Sequence, residues 1–267
     1  MVSGGPQAEE LKACCADAYS QDVVALLLGD SYHPGGLALT RRLADHLDLA
    51  RDEVVLDVAA GRGTTALLLA REHDVRVAAV DLSSANIALG RGAADAAGLS
   101  ERIEFAVADA ERLPYPDERF DAAVCECAFC TFPDKPTAAA QFARVLRPGG
   151  RVGITDVTAA PDRLPPELTG LTAWIACVAD ARPLDEYAEI LGETGLRIRR
   201  AERHDAAMTR MIDQIEARLT VLRMTARAKA EALGLDFDRA EPVLAAARSA
   251  VADGALGYAL MVAEKPA

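Results

Sequence analysis

Between residues 54 and 157, short apolar runs alternate with stretches of helical spacing, and this alternation restricts the fold more than any other feature of the chain. The runs 54–58, 75–80, 103–107, 120–125 and 151–157 read as strands, and 64–72, 84–97 and 138–146 between them read as helices. Ser83 or Ser84 suits the cap of the second helix, and Arg147-Pro148-Gly149-Gly150 reads as a stop after the third. Strands that are apolar along their whole length are buried on both faces, as a parallel sheet covered by helices on each side requires. The expected fold class is α/β, a doubly wound, mostly parallel sheet.

Beyond residue 160 the spacing predicts a helix over 184–194, opened by Pro183, and a strand over 196–202. The alternation then stops. Met208, Met211, Ile212, Ile215, Leu219 and Leu222 recur at helical spacing, a second helix starts near Asp238, and the chain returns to a strand at 258–263. This predicts a helical insertion before the last strand, with 205–253 as part of a lid over the substrate. Toward the N-terminus, 8–28 and 37–47 read as helices joined by a turn at Gly29-Asp30 and the loop Ser31-Tyr32-His33-Pro34-Gly35-Gly36. We expect a single domain over 1–267: an N-terminal helical cap to residue 50, a cofactor-binding core over 51–160 and a substrate-side region over 161–267.

The formal net charge of -12 sets a polyanionic partner against the chain as a whole. Neither nucleic acid nor an anionic membrane surface is expected to bind. No apolar run reaches the ~18–20 residues of a membrane-spanning helix. Residues 1–10 are polar and acidic rather than a secretory leader, so the six cysteines are expected to sit in the reducing cytoplasm. The sequence leaves the oligomeric state open.

The segment Asp57-Val58-Ala59-Ala60-Gly61-Arg62-Gly63 lies between an apolar strand and a helix, where a glycine-rich ligand loop belongs. Gly61 and Gly63 permit a tight turn and close approach of backbone to ligand, and the following helix N-terminus offers unpaired N–H donors. Asp81, followed by Leu82, ends the next strand, where a carboxylate can accept from ribose hydroxyls. Asp109 follows the third strand, within reach of an adenine edge, and Ala110 offers a backbone N–H beside it. The carboxylate of Asp57 suits a cationic amino-acid ligand better than a pyrophosphate, which favours S-adenosylmethionine (SAM) over a nicotinamide dinucleotide.

Residues 50–160 resemble the class I SAM-dependent methyltransferases, with their Rossmann-like fold. The glycine-rich motif is similar at 57–63, although Ala59 stands where the family has its first glycine; Asp81 and Asp109 match the acids after the second and third strands, and 144–150 resembles the stretch before the fifth. The resemblance implies SAM as cofactor, held by Asp57, Ala59, Gly61, Gly63, Asp81, Leu82, Asp109, Ala110 and Cys125.

The cysteines point to an acceptor. Cys127 stands before Pro133-Asp134-Lys135 as a cysteine does in arsenite methyltransferases; 174–179 resembles that family's second cysteine segment at Cys177, and Cys14-Cys15 its N-terminal pair. A further family cysteine, before the glycine-rich motif, has no counterpart here. The resemblance implies transfer to trivalent arsenic, or a related metalloid, held by Cys127 and Cys177 with Cys14 or Cys15. Soft thiolates suit such an atom, whose own lone pair would take the methyl without a base. Cys125-x-Cys127-x-x-Cys130 lacks the second ligand pair of common zinc sites. The alternatives are an O- or C-methyltransferase of a small metabolite, quinone precursor or polyketide, and a non-catalytic binder of SAM or metalloid. His33, in the loop before the cofactor strand, can touch SAM or act as a base for an oxygen acceptor. His204 can point toward the lid, whereas His46 and His73 read as surface residues at helix ends.

Overall fold

A computed structural model describes residues 33–169, 178, 180–233 and 235–267. Cys14, Cys15, Cys177 and the predicted helix over 8–28 lie outside the described residues. In chain order the described elements are α1 (Gly36–Leu47), β1 (Val54–Val58), α2 (Thr64–Glu72), β2 (Arg76–Asp81), α3 (Ser84–Ala96), β3 (Ile103–Val107), β4 (Phe120–Glu126), α4 (Lys135–Val145), β5 (Leu146–Ala159), α5 (Leu184–Glu193), β6 (Arg197–Arg203), α6 (Asp205–Thr225), α7 (Arg227–Ala232), α8 (Phe237–Ala252) and β7 (Leu256–Glu264).

The strands form one sheet in the order β3-β2-β1-β4-β5-β7-β6. β1 to β5 run parallel, and β7 lies antiparallel between β5 and β6. The expected doubly wound, mostly parallel architecture is therefore the one observed, with the helical insertion α6–α8 before the last strand. Each of β1, β4 and β7 is buried along nearly its whole length, in keeping with their mostly apolar sequences. The tips of β1, β2 and β4 turn into the loops that carry the site, at the carboxyl edge where open parallel sheets bind ligands.

Several limits differ from the sequence reading. α4 begins at Lys135 rather than 138, because the Asp134 side chain accepts from the Thr137 N–H at 3.0 Å and caps the helix ahead of Pro136. α4 ends at Val145, and residues 147–150, read as its stop, already belong to β5. Gly149, at φ 75°, donates its N–H to Lys265 O, and Lys265 donates back to Gly150 O, both at 2.8 Å. α8 packs on α6 and on the turn Pro166–Leu168, and both helices touch β7. Among the described residues no helix is long and apolar enough to cross a membrane.

Candidate active site

The loops after β1, β2, β3 and β4 surround one cavity, lined by His33, Asp57, Ala59–Arg62, Thr64, Thr65, Asp81, Leu82, Asn86, Ala108–Ala110, Glu126–Ala128, Thr131 and Phe132. Its charged wall is mostly acidic. Asp57, Asp81, Asp109 and Glu126 line it, against the cationic side chain of Arg62 and the ring of His33. An acidic, largely apolar cavity favours a cationic ligand with an apolar body.

The loop that closes β1 holds three residues at positive φ: Ala59 at 57°, Gly61 at 55° and Gly63 at 80°. Asp81 secures the loop from the neighbouring strand. Its Oδ2 accepts the Gly61 N–H and its Oδ1 the Ser83 N–H, each at 2.8 Å. A Cβ added at Gly61 would meet no protein atom within 4 Å, so the space in front of this residue is left open on the cavity wall. Gly63 serves another purpose. It does not line the cavity, and a Cβ there would lie 2.8 Å from Phe105 Cζ, so this glycine lets the start of α2 pack on β3.

Asp57 is 2% exposed, and its Oδ2 is buried with no hydrogen-bond partner. Burial, with the nearby Glu126 and Asp81 carboxylates adding to it, pushes its carboxyl well above the usual carboxylate range. Asp81 is also raised by burial, while the N–H groups of Ser83 and Gly61 and the Asn86 amide pull it back. Asp109 accepts the Glu111 N–H at 2.9 Å through Oδ1 and lines the cavity beside Ala110 and Leu82.

Sequence reasoning missed Glu126, the last residue of β4. Three hydroxyls from three elements donate to its carboxylate: Thr65 (α2) at 2.7 Å, Thr40 (α1) at 3.0 Å and Thr155 (β5) at 3.2 Å. His33 Nε2 lies 3.7 Å from Oε2 and 3.3 Å from Thr40 Oγ1, and His33 Nδ1 lies 3.3 Å from Pro34 O. Strand alternation was the available signal. Cys125 pairs with Ile154 and Glu126 with Thr155, so the two β4 residues face opposite sides of the sheet.

That alternation corrects the reading of Cys125. It is fully buried and does not line the cavity, and burial pushes its thiol well above the ordinary range. Cys127 does line the cavity, in the left-handed region at φ 53°, with its N–H donated to Thr155 O at 2.6 Å. Cys130 is buried, its N–H donated to Asp156 Oδ2 at 2.9 Å, away from the cavity. Thus Cys127 is the cysteine that the described residues bring to the site. The described residues of the expected lid over 205–253 do not line this cavity. His204 sits at the start of α6 with Nε2 3.2 Å from Glu202.

Residues 55–150 match a protein family described as a methyltransferase domain. Among curated proteins, the chain is 31% identical to the 27-O-demethylrifamycin SV methyltransferase of Amycolatopsis mediterranei, over 94% of this chain and 95% of that one. Among solved structures, it is similar to a sarcosine dimethylglycine methyltransferase described as putative, from Galdieria sulphuraria (TM-score 0.76, 22% identity, 86% of each chain). It is also similar to geranyl diphosphate C-methyltransferase from Streptomyces coelicolor A3(2), solved with Mg2+, geranyl diphosphate and S-adenosyl-L-homocysteine (TM-score 0.74, 18% identity, 98% of this chain and 99% of that one).

Proposed function

From the premise that the chain belongs to the class I SAM-dependent methyltransferases, with SAM as its cofactor, we propose that it methylates an oxygen or carbon of a small, largely apolar metabolite. The observation that carries the cofactor part is the orphaned, buried Oδ2 of Asp57 in an acid-lined cavity. SAM carries an ammonium and a sulfonium, which fit such a wall; a pyrophosphate does not. When bound, SAM supplies an electrophilic methyl on a sulfonium that departs as a neutral thioether.

Within this reading each residue has a task. Asp57 would accept from the ammonium, Asp81 from the ribose hydroxyls, and Asp109 with the Ala110 N–H would meet the adenine. Gly61 leaves the space the ligand needs, and Ala59 and Leu82 supply apolar wall. Glu126, Cys127, Thr131 and Phe132 would border the acceptor.

The acceptor class is supported by the relative that spans nearly the whole chain, which by its name methylates an oxygen of a rifamycin. This reverses the order of the two readings drawn from the sequence. Arsenite methylation has in its favour the thiol of Cys127 on the cavity wall; its other thiols, Cys14, Cys15 and Cys177, lie outside the described residues. The deciding experiment incubates the protein with methyl-labelled SAM and a panel of phenols, secondary alcohols and 1,3-dicarbonyls, and in parallel with arsenite and a thiol reductant. The expected result is labelled methyl on oxygen or carbon of the organic acceptors. Label on arsenic alone would overturn the proposal.

A further inference from the structure

Three threonines from separate elements converge on one carboxylate that the cofactor tasks above do not use, and a histidine stands beside it. We propose that His33 is the base that removes the acceptor's proton, and that Thr40 and Glu126 are the relay that receives the resulting charge. This inference rests on the metabolite-methylation reading and deepens it. It restricts the acceptor to a group that gives up a proton as it takes the methyl, a hydroxyl or an acidic C–H, and sets aside acceptors such as arsenite that attack with a lone pair alone.

In this proposal the resting His33 ring is the tautomer that donates from Nδ1, which lies 3.3 Å from the Pro34 carbonyl, a group that can only accept. The Thr40 hydroxyl donates to Glu126 at 3.0 Å, so its oxygen keeps lone pairs for a donor at Nε2, 3.3 Å away. A proton taken up at Nε2 puts the positive charge 3.7 Å from Glu126 Oε2, beside the hydroxyl of Thr40. Thr65 and Thr155 hold the carboxylate from two further sides. Among the described residues, the titratable groups around the carboxylate include Asp57 on β1, the thiol of Cys125 on β4 and the phenol of Tyr258 on β7, with the Cys127 thiol beside Tyr258, and Arg62 lines the same cavity.

The step balances. The acceptor oxygen, or carbon, forms its bond to the methyl carbon while the methyl–sulfur bond breaks, with its electron pair left on sulfur. The acceptor's proton passes to His33 Nε2, and the imidazolium pairs with Glu126 until it discharges to solvent.

The test combines kinetics with ring-nitrogen NMR on histidine-labelled full-length protein. His33→Gln is expected to lose roughly 100-fold or more in kcat on the phenol or dicarbonyl probes, while SAM affinity stays within about threefold. Thr40→Val is expected to lose about tenfold, and Thr40→Ser to restore activity, since it keeps the hydroxyl. NMR is expected to find the neutral His33 ring protonated at Nδ1, with or without bound S-adenosylhomocysteine. A neutral ring protonated at Nε2, or a His33→Gln variant as active as wild type on an organic probe, would overturn the base while leaving metabolite methylation intact. Methylation of arsenite alone would overturn both.

Discussion

Asp81 Oδ2 accepts the backbone N–H of Gly61 at 2.8 Å, so the tip of β2 holds the turn that follows β1. The same carboxylate accepts from Ser83 and Asn86, and it lines the cavity. One side chain thus shapes the loop and presents a charge to the ligand.

Removing that carboxylate therefore has two consequences. Asp81→Ala leaves the Gly61 and Ser83 N–H groups without their acceptor, which costs about 1–3 kcal/mol for a buried donor. It also removes the group proposed to hold the ribose. The expected outcome is a lower Tm together with SAM binding weakened by about tenfold or more, since a charge-assisted hydrogen bond is worth about 1.5–3 kcal/mol. Thermal unfolding and calorimetric titration of one preparation check both.

The Phe105 ring wedges between two glycines, and this predicts a substitution whose effect opposes helix propensity. A Cβ at Gly90, in the middle of α3, would lie 2.5 Å from Phe105 Cε1. Gly90→Ala gains about 1 kcal/mol of helix propensity but overpacks a filled contact at a cost of about 1–3 kcal/mol. Overpacking wins, and the variant is expected to unfold at lower denaturant concentration. Gly92→Ala, where a Cβ meets nothing within 4 Å, is expected to be stabilising.

Asp57 makes the unliganded protein pH-sensitive. Its folded-state pKa is raised above the unfolded value by burial, so across the window between the two the native state binds more protons than the unfolded one. Stability from this group is therefore lost as pH rises from the usual carboxylate range, near ~4, toward the raised folded value. Asp57→Asn is expected to remove that loss and raise the Tm of the unliganded protein at pH 7, by about 2–4 °C for each kcal/mol recovered. The same variant is expected to bind SAM more weakly. Differential scanning calorimetry across pH, with and without SAM, reads both effects.

How far the site was legible follows strand geometry. β1, α2 and β3 fall on the limits read from the sequence. Asp57, Asp81 and Asp109 were legible as acids at consecutive strand tips, and all three line the cavity. Glu126 was not, because the apolar run ends at Cys125 and the flanking thiols drew the chemistry to themselves. Strand alternation puts the adjacent residues 125 and 126 on opposite faces, and the cavity lining shows that Glu126 is the one turned to the ligand. The Thr40, Thr65 and Thr155 cradle is set by tertiary contacts among three elements that no local pattern reports. The helices over 205–253 were legible from their spacing, but their placement away from the described cavity depends on the antiparallel β7, whose direction the spacing does not encode.

Ala59 shows a departure that local reasoning located and the structure explains. It occupies a left-handed conformation at φ 57°, which costs a non-glycine residue about 1–2 kcal/mol. Glycine would relieve that strain but loses about 0.4–1 kcal/mol through the freer unfolded chain. Ala59→Gly is expected to leave stability unchanged or slightly raised, by chemical denaturation, with SAM still bound.

The central claim is that a buried Asp57 carboxyl becomes the partner of a cofactor ammonium, and proton linkage measures it directly. SAM binding is titrated by calorimetry at a series of pH values from the usual carboxylate range, near ~4, up to neutrality, in buffers of different ionisation enthalpy, for wild type and Asp57→Asn. The account predicts net proton release in the wild type as the raised carboxyl ionises against the ammonium, and no release from this position in the variant. Binding enthalpies independent of buffer in the wild type, or proton release unchanged by Asp57→Asn, would contradict it.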